Sequence, residues 1–498
     1  MAITVDIQIC KKDTLVSTLT QILQNPDYCG NQKINTRLIS NLFSVFIDTI
    51  VFVIEYPYVD KHYRDSYYTY HSAKLEHLGR DCLRVHLFES EISREQFFSN
   101  TFSDKLKETY LGFFIIRPLV RFPMGRSIIS PKALNKQNFV CCLTQINVSL
   151  CGQKLQAMGF PHTAQDTETH SCAESSLWSM LEYYGTKYPH YKPLLPSEIL
   201  HSLSSIMSHR QMPSQGLTVQ ELANGLNANG HPCLMYADLN PSTNELNDKD
   251  LMLLSIYIES GIPVIIALQN NSAGHAVIAI GHEEMDYDVI RGETSQKTWI
   301  DVSMFRHSLV LIDDNLPPYS IADIHNPASN YSDSSFKDMK ITSFIVPLQR
   351  HMHLDAAHCY DLVSDILNNS QVGLELFSSE WITRLFLTGG HSFKEFILQE
   401  SGLSDRLKSY LLHIALPKFI WCCEIYEKTA YNEDSVSGLI LIDATGGNSL
   451  ASVLLYWLKE ASFYHDGFAW VKREPIINFK MKALRHNLKG VWNKWHNS

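Results

Sequence analysis

The sequence predicts an α+β protein in which a helix bearing a cysteine packs on a mostly antiparallel sheet, between two α/β accessory segments. Three observations carry this. In "SCAESSLWSMLEYYG", Ala173, Leu177, Met180, Leu181 and Tyr184 recur at helical spacing behind Cys172. The runs "GIPVIIAL", "HAVIAIG" and "SLVLID" are short, β-branched and nearly uninterrupted, as strands of a covered sheet are. On both sides, helical and strand-like stretches alternate without internal repeats or low-complexity linkers. Changes of pattern divide the chain into residues 1–155, 156–346 and 347–498.

Residues 1–155 open with a helix at "TLVSTLTQIL" and strands at "TIVFVIEY" and "CLRVHLFE". A further buried strand in "TYLGFFIIRPLV" is stopped by Pro118. The apolar stretch "ISNLFSVFIDTIVFVIEYPYV" is interrupted by Asp48 and Glu55, which a lipid-spanning helix should avoid, so it reads as a helix entering a buried strand. No transmembrane segment is predicted. The start "MAITVDIQICKKDTLV" has no basic region followed by an apolar run and does not read as a secretory signal.

In the middle segment, Gly185 marks the expected stop of the cysteine helix. The next helix is announced by "GLTVQELANGLNANG", where Thr218 and Glu221 have capping-box spacing and Leu222 and Leu226 form an apolar stripe. The last segment predicts helices at "HCYDLVSDIL" and "WLKEASF" and strands at "FIWCCEIYEK" and "SGLILIDAT". Near its end Lys472, Arg473, Lys480, Lys482, Arg485, Lys489 and Lys494 face only one acid, Glu474. Met481, Leu484, Leu488, Val491 and Trp495 recur there at helical spacing. A basic amphipathic helix is expected, docked on the protein or on a protein partner, with a membrane surface as the second choice.

The 498 residues exceed one ordinary core, and with 45% hydrophobic and 19% charged residues the chain reads as globular. A net charge of -10 argues against a general nucleic-acid binder. The eleven cysteines are scattered rather than densely spaced, which predicts reduced thiols and a cytoplasmic protein.

Ser171 and Glu174 form a capping box that sets Cys172 at the first helical position, at the positive end of the helix dipole, where a thiolate is favoured. Gln165, in the polar loop upstream, offers an amide donor for an oxyanion. The plainer alternative is that Cys172 is one of eleven small hydrophobes that fell at a helix start. A base is supplied by His275, at the entry of the strand in "NNSAGHAVIAIG", unless it merely caps that strand. Asp313 and Asp314 in "LVLIDDNLPPY" stand at the exit of the next strand, where a carboxylate can orient an imidazole and where turn residues are also ordinary. Asp313 directly follows the apolar run and is the chosen partner.

Taken together, "QDTETHSCAESSLWSMLEYYG", "GLTVQELANGLNANGHPCLMY", "GIPVIIAL…GHAVIAIG" and "LIDDN" resemble the successive motifs of papain-like cysteine peptidases, in particular the bacteriocin-processing double-glycine peptidases of bacteria. The resemblance spans about Gly159 to Tyr331. It implies a papain-like fold, with Cys172 as nucleophile, His275 as general base, Asp313 as orienting carboxylate and Gln165 at the oxyanion. The implied reaction is cleavage of a peptide or isopeptide bond in a protein or peptide substrate, with no cofactor. The same residues would serve an acyltransferase or transglutaminase-like reaction, and a papain-like fold can also persist as a non-catalytic binding scaffold. Relative to the family, the loop from Gln165 to Cys172 is one residue longer, and Ser171 and Ala173 replace the usual acidic and glycine neighbours. No transporter domain accompanies it, so the family's secretion role is not implied.

Other constellations are weaker. "HMHLDAAHCYDL" gathers His351, His353, Asp355, His358 and Cys359, but His353 and His358 lie on different helix faces, so no metal site is predicted. The pairs at Cys141 and Cys422 read as strand residues rather than as a CxxC motif. No GxSxG elbow or phosphate-binding GxxxxGK[ST] occurs, and "DATGGNS" lacks the lysine.

Overall fold

The cysteine helix, Cys172–Lys187, is buried from Ala173 to Tyr184 because sheets cover it on two sides: it packs on strand Gln153–His162 of one sheet and strand Gly274–Glu283 of another. A computed structural model describes residues 6–23, 37–75, 78–136, 138–207, 209–293, 298–331, 335–377, 379–432, 434–465, 469–473 and 479–491. It is a mixed α+β molecule built on three sheets.

The first sheet has seven antiparallel strands in the order Asp6–Lys11, Val51–Tyr58, Cys82–Phe88, Tyr110–Ile116, Met124–Ile129, Gln153–His162, Thr144–Leu150. In "TQINVSL", Thr144 to Leu150, buried and exposed residues alternate strictly, the pattern of a strand with one wet face. Cys151 and Gly152, both left-handed at φ 45° and 85°, turn the chain into the next strand as a two-residue hairpin.

The central sheet runs Ser320–Asp323, Ser308–Ile312, Gly274–Glu283, Val264–Gln269, Lys340–Pro347, Cys233–Tyr236. Its central strands are almost wholly buried, as their uninterrupted apolar runs predict. The short strand Phe139–Cys141 also pairs with Gly274–Glu283, and Lys489–Val491 pairs with Phe139–Cys141 in turn. In the third sheet, Trp299–Asp301 lies parallel to Trp381–Gly389, followed by an antiparallel meander to Trp470–Arg473. The three sequence segments therefore interleave: strand Gln153–His162 crosses residue 155, and strands from the first two segments enter neighbouring sheets.

Several expected elements form as read. The stretch around Asp48 is helix Arg37–Ser44 leading into strand Val51–Tyr58, and among the described residues no helix is long and apolar enough to cross a membrane. The Thr218 capping box closes, with Glu221 N–H donating to Oγ1 at 3.2 Å and Thr218 N–H to the Glu221 carboxylate at 2.9 Å. Cys141 and Cys422 lie in strands, and the described cysteines are unpaired thiols.

Three expectations are corrected. Gly185 does not end its helix, which continues to Lys187; the glycine instead lets the backbone of Lys192 and Pro193 approach, since a Cβ would stand 2.4 Å from Pro193 N. "WLKEASF" is a hairpin, not a helix: Leu458 pairs with Ala461 across Lys459, whose φ of 50° makes the turn. The aromatic and β-branched residues around it override the helical preference of Lys459 and Glu460.

The C-terminal stretch is extended rather than helical, up to strand Lys489–Val491. Phe479, Met481, Ala483, Leu484 and Leu488 are buried, so the apolar residues do dock on the protein, but without helical hydrogen bonds. Backbone pairing with the third sheet replaces them: Met481 bridges Val436, Leu484 N–H donates to Glu424 at 2.8 Å, and Leu484 C=O accepts from Arg384 at 2.7 Å. Lys494, Trp495 and Glu474 fall outside the described residues.

Removing this stretch should therefore destabilise the whole molecule. Leu484→Ala is expected to lower unfolding free energy by about 2–5 kcal/mol in urea denaturation, and truncation from Lys480 should cost more. Wild-type stability in the truncated chain would contradict the docking.

Candidate active site

Cys172 is the first residue of its helix, half-buried, where backbone N–H groups of the first turn have no intrahelical acceptor. The capping box is formed by its acid: the Glu174 carboxylate accepts from Ser171 N–H at 3.0 Å, from the Ser171 hydroxyl and, at 2.6 Å, from Ser214. The Ser171 hydroxyl is thus turned onto Glu174 and does not itself cap the helix.

His275 is the second residue of strand Gly274–Glu283, buried on the rigid central sheet. Its Nε2 lies 3.0 Å from Asp313 Oδ1, 3.4 Å from the Tyr331 hydroxyl and 3.8 Å from Asp314 Oδ1. Nδ1, on the other side of the ring, makes no hydrogen bond among the described residues. Burial alone would lower the imidazole pKa, but the Asp313 charge and hydrogen bond, the Cys172 thiol and the Asp314 charge together hold it well above its ordinary value. The ring therefore has a carboxylate on one side and the thiol as a neighbour.

Asp313 is buried at the exit of strand Ser308–Ile312. Its Oδ1 also accepts from Asn315 N–H at 3.0 Å, and its Oδ2 from the Tyr331 hydroxyl at 2.7 Å. Burial opposes ionisation, yet His275 and these donors keep the carboxyl below its ordinary pKa. Asp314 is different. Among the described residues its oxygens take no hydrogen bond of ordinary geometry, and burial, opposed by His275 and reinforced by the Asp313 charge, pushes its pKa up to about 7. Adjacent carboxylates are thus driven apart, one charged against the imidazole and one holding a proton near neutrality.

Gln165 lines the same cleft as Cys172, and its Nε2 donates to Asn315 Oδ1 at 3.1 Å. The loop between them is clamped by Asp166, whose Oδ1 accepts from Glu168, Thr169 and His170 N–H at 2.9, 2.6 and 3.1 Å. Residues of the first sheet's segment hold that loop from outside. His71 approaches Asp166 and Glu168 at 3.6 Å, Lys74 pairs with Glu168, and Arg117 donates to Ala164 C=O at 2.9 Å.

The cleft at Cys172 and His275 has a volume of about 730 Å³. One wall is apolar, formed by Leu222, Ile265, Ala267, Leu268 and Ile345; among the described residues no Lys, Arg, Asp or Glu lines it. All four residues singled out from sequence, Gln165, Cys172, His275 and Asp313, therefore surround one site. Tyr331, Asn315 and Phe336, whose ring lies 4.8 Å from His275, were not foreseen. Asn315 was visible in "LIDDN" as turn chemistry, whereas Tyr331 and Phe336 carried no signal.

Metal ligands are distributed otherwise than the histidine count suggests. In "HMHLDAAHCYDL", Cys359 is buried in the core, His358 bonds Asp355 at 2.9 Å, and Asp355 caps helix Ala356–Leu367. The described group with ligand atoms close enough for an ion is His275, Asp313 and Asp314, within 4.8 Å of one another. An ion there would compete with the Asp313–His275 hydrogen bond.

Asp314 holds its proton more tightly in the folded chain than in the unfolded one. The stability this contributes is complete below the ordinary carboxylate pKa and is lost as pH rises through about 7. Asp314→Asn should flatten that loss, so that its unfolding free energy falls less than wild type's between about pH 5 and pH 8; an equal or steeper fall would refute the assignment. Compared with known proteins, the chain matches no family model and no curated sequence.

Proposed function

We propose that the protein is a papain-like cysteine peptidase acting on peptide or isopeptide bonds through Cys172, His275 and Asp313. The observation that supports this best is the pairing of His275 with the Asp313 carboxylate, 3.0 Å away, in the cleft that Cys172 also lines. A buried imidazole with an oriented carboxylate behind it and a nucleophile in front is the arrangement acyl transfer needs.

In this reading Cys172 loses its proton to His275 Nδ1, and its sulfur forms a bond to the substrate carbonyl carbon. The carbonyl π electrons move to oxygen, where the Cys172 backbone N–H and the Gln165 amide stabilise the charge. His275 then returns the proton to the leaving amine as the C–N bond breaks, leaving a thioester. Water, deprotonated by His275, hydrolyses that thioester and restores the thiol. Asp313 keeps the imidazole in the tautomer that presents Nδ1 to sulfur and stabilises its charged form. The uncharged cleft wall suits an extended chain of small or apolar residues.

Expression of wild type and Cys172→Ala in cells, followed by mass spectrometry of new protein termini, tests reaction and substrate together. Cys172→Ala and His275→Ala should both reduce turnover to background. Asp313→Asn should cost far more than Asp314→Asn, and less than Cys172→Ala. Gln165→Ala should cost about a hundredfold, the loss of one oxyanion donor. Iodoacetamide should abolish turnover and a chelator should leave it intact. Full activity of purified Cys172→Ala would overturn the proposal.

A further inference from the structure

Behind the far end of the cysteine helix, two adjoining hollows of about 520 and 320 Å³ share His190, Gln349 and Lys418 and form one cleft between the central and third sheets. Four fixed cations line it: Lys187, Lys192, Arg350 and Lys418. Among the described residues no Asp or Glu lines either hollow, although the chain as a whole carries a net charge of -10.

The cations are also poorly compensated. Lys192 reaches Glu198 at 3.4 Å across an exposed edge, whereas Lys187, Arg350 and Lys418 make no ion pair among the described residues. Lys187 bonds the Tyr183 hydroxyl and lies 4.9 Å from that ring and 5.7 Å from that of Tyr188, and burial lowers its pKa from the ordinary lysine value. His231, which lines the cleft, is pushed down to about 4, chiefly by burial and then by the charges of His190 and Arg350.

Gly230, left-handed at φ 86°, brings the backbone close to Arg350: the place of its Cβ lies 3.2 Å from a guanidinium nitrogen. The Tyr191 ring is fixed by stacking on His231 at 4.1 Å, and His190 packs on Tyr191 at 4.3 Å, leaving flat rings beside the charges.

We propose that this cleft binds a small, multiply charged phosphoanion, held by Arg350, Lys418 and Lys187. Guanidinium and ammonium groups lining one concave cleft, with no carboxylate among its described residues, favour phosphate oxygens over singly charged anions. Recognition here would rest on side chains, which accounts for the lack of a glycine-rich phosphate loop in the sequence. The site shares no residue with the Cys172 cleft, so it stands independently of the reaction proposed there.

Isothermal titration of the full chain with tripolyphosphate and, separately, with ATP tests this. Both should bind with micromolar dissociation constants that weaken as salt is raised. Tighter binding of ATP would assign the Tyr191 and His190 rings to the base, and equal binding would assign recognition to the phosphates alone. Arg350→Ala with Lys418→Ala should weaken both ligands at least tenfold while leaving the unliganded melting temperature unchanged, since both side chains are exposed. If that pair destabilises the fold, Arg350→Gln with Lys418→Gln keeps the stems and removes the charges. Absence of binding by either ligand at millimolar concentration, or unchanged affinity in the charge-neutral variant, would overturn the proposal.

Discussion

Glu259 ends helix Asp248–Glu259 inside the molecule, and its carboxylate takes three partners from other parts of the chain: the guanidinium groups of Arg306 and Arg384, each at 2.7 Å, and the imidazole of His282 at 2.8 Å. Burial would raise its pKa, yet those partners hold it well below the ordinary value. Arg384 continues the network to Glu424 and to the Leu484 carbonyl, so helix, central sheet, third sheet and C-terminal stretch meet in one set of charges. Such a network adds little net free energy over an apolar core, because each ion is desolvated. What it does is penalise every alternative packing, since a shift of one element would strand a buried charge. His282 lies on the same strand as His275. Fixing it fixes the register that delivers the imidazole at the other end.

The parts of the site that were legible in the sequence are those governed by local rules. A capping box sets Cys172 at a helix start, an apolar run sets His275 at a strand entry, and a second run sets Asp313 at a strand exit. Each follows from the residues within a few positions. Tyr331 and Phe336 were illegible for the opposite reason. They reach His275 and Asp313 from a loop whose position depends on how the central sheet is assembled, and no spacing encodes that. The same divide explains the C-terminal stretch. Met481, Leu484 and Leu488 satisfy a helical period, but backbone partners on the third sheet and on Phe139–Cys141 were available, and tertiary pairing outweighed the local pattern.

The separation of Asp313 from Asp314 also depends on environment. Both are buried beside one imidazole, and two full negative charges there would be costly. Asp313 takes the hydrogen bonds of Asn315 and Tyr331 and stays ionised, while Asp314, with no well-formed hydrogen bond among the described residues, retains its proton up to about pH 7. Residue order alone distinguishes them only by strand against turn. Donor supply is what turns that small positional difference into two protonation states.

The first segment takes part in the site without supplying a reacting group. The loop from Gln165 to Cys172 is long, and a free loop of that length would spread Gln165 over many positions relative to the thiol. Asp166 gathers three successive N–H groups inside the loop, and His71, Lys74 and Arg117 hold it from the first sheet's side. The ordering cost is thereby met in folding the first segment and not at each encounter with substrate. An oxyanion donor works only when it is placed before charge develops. The segment that shows no chemistry of its own in the sequence is therefore the one that makes the position of Gln165 definite, as the proposed oxyanion role requires.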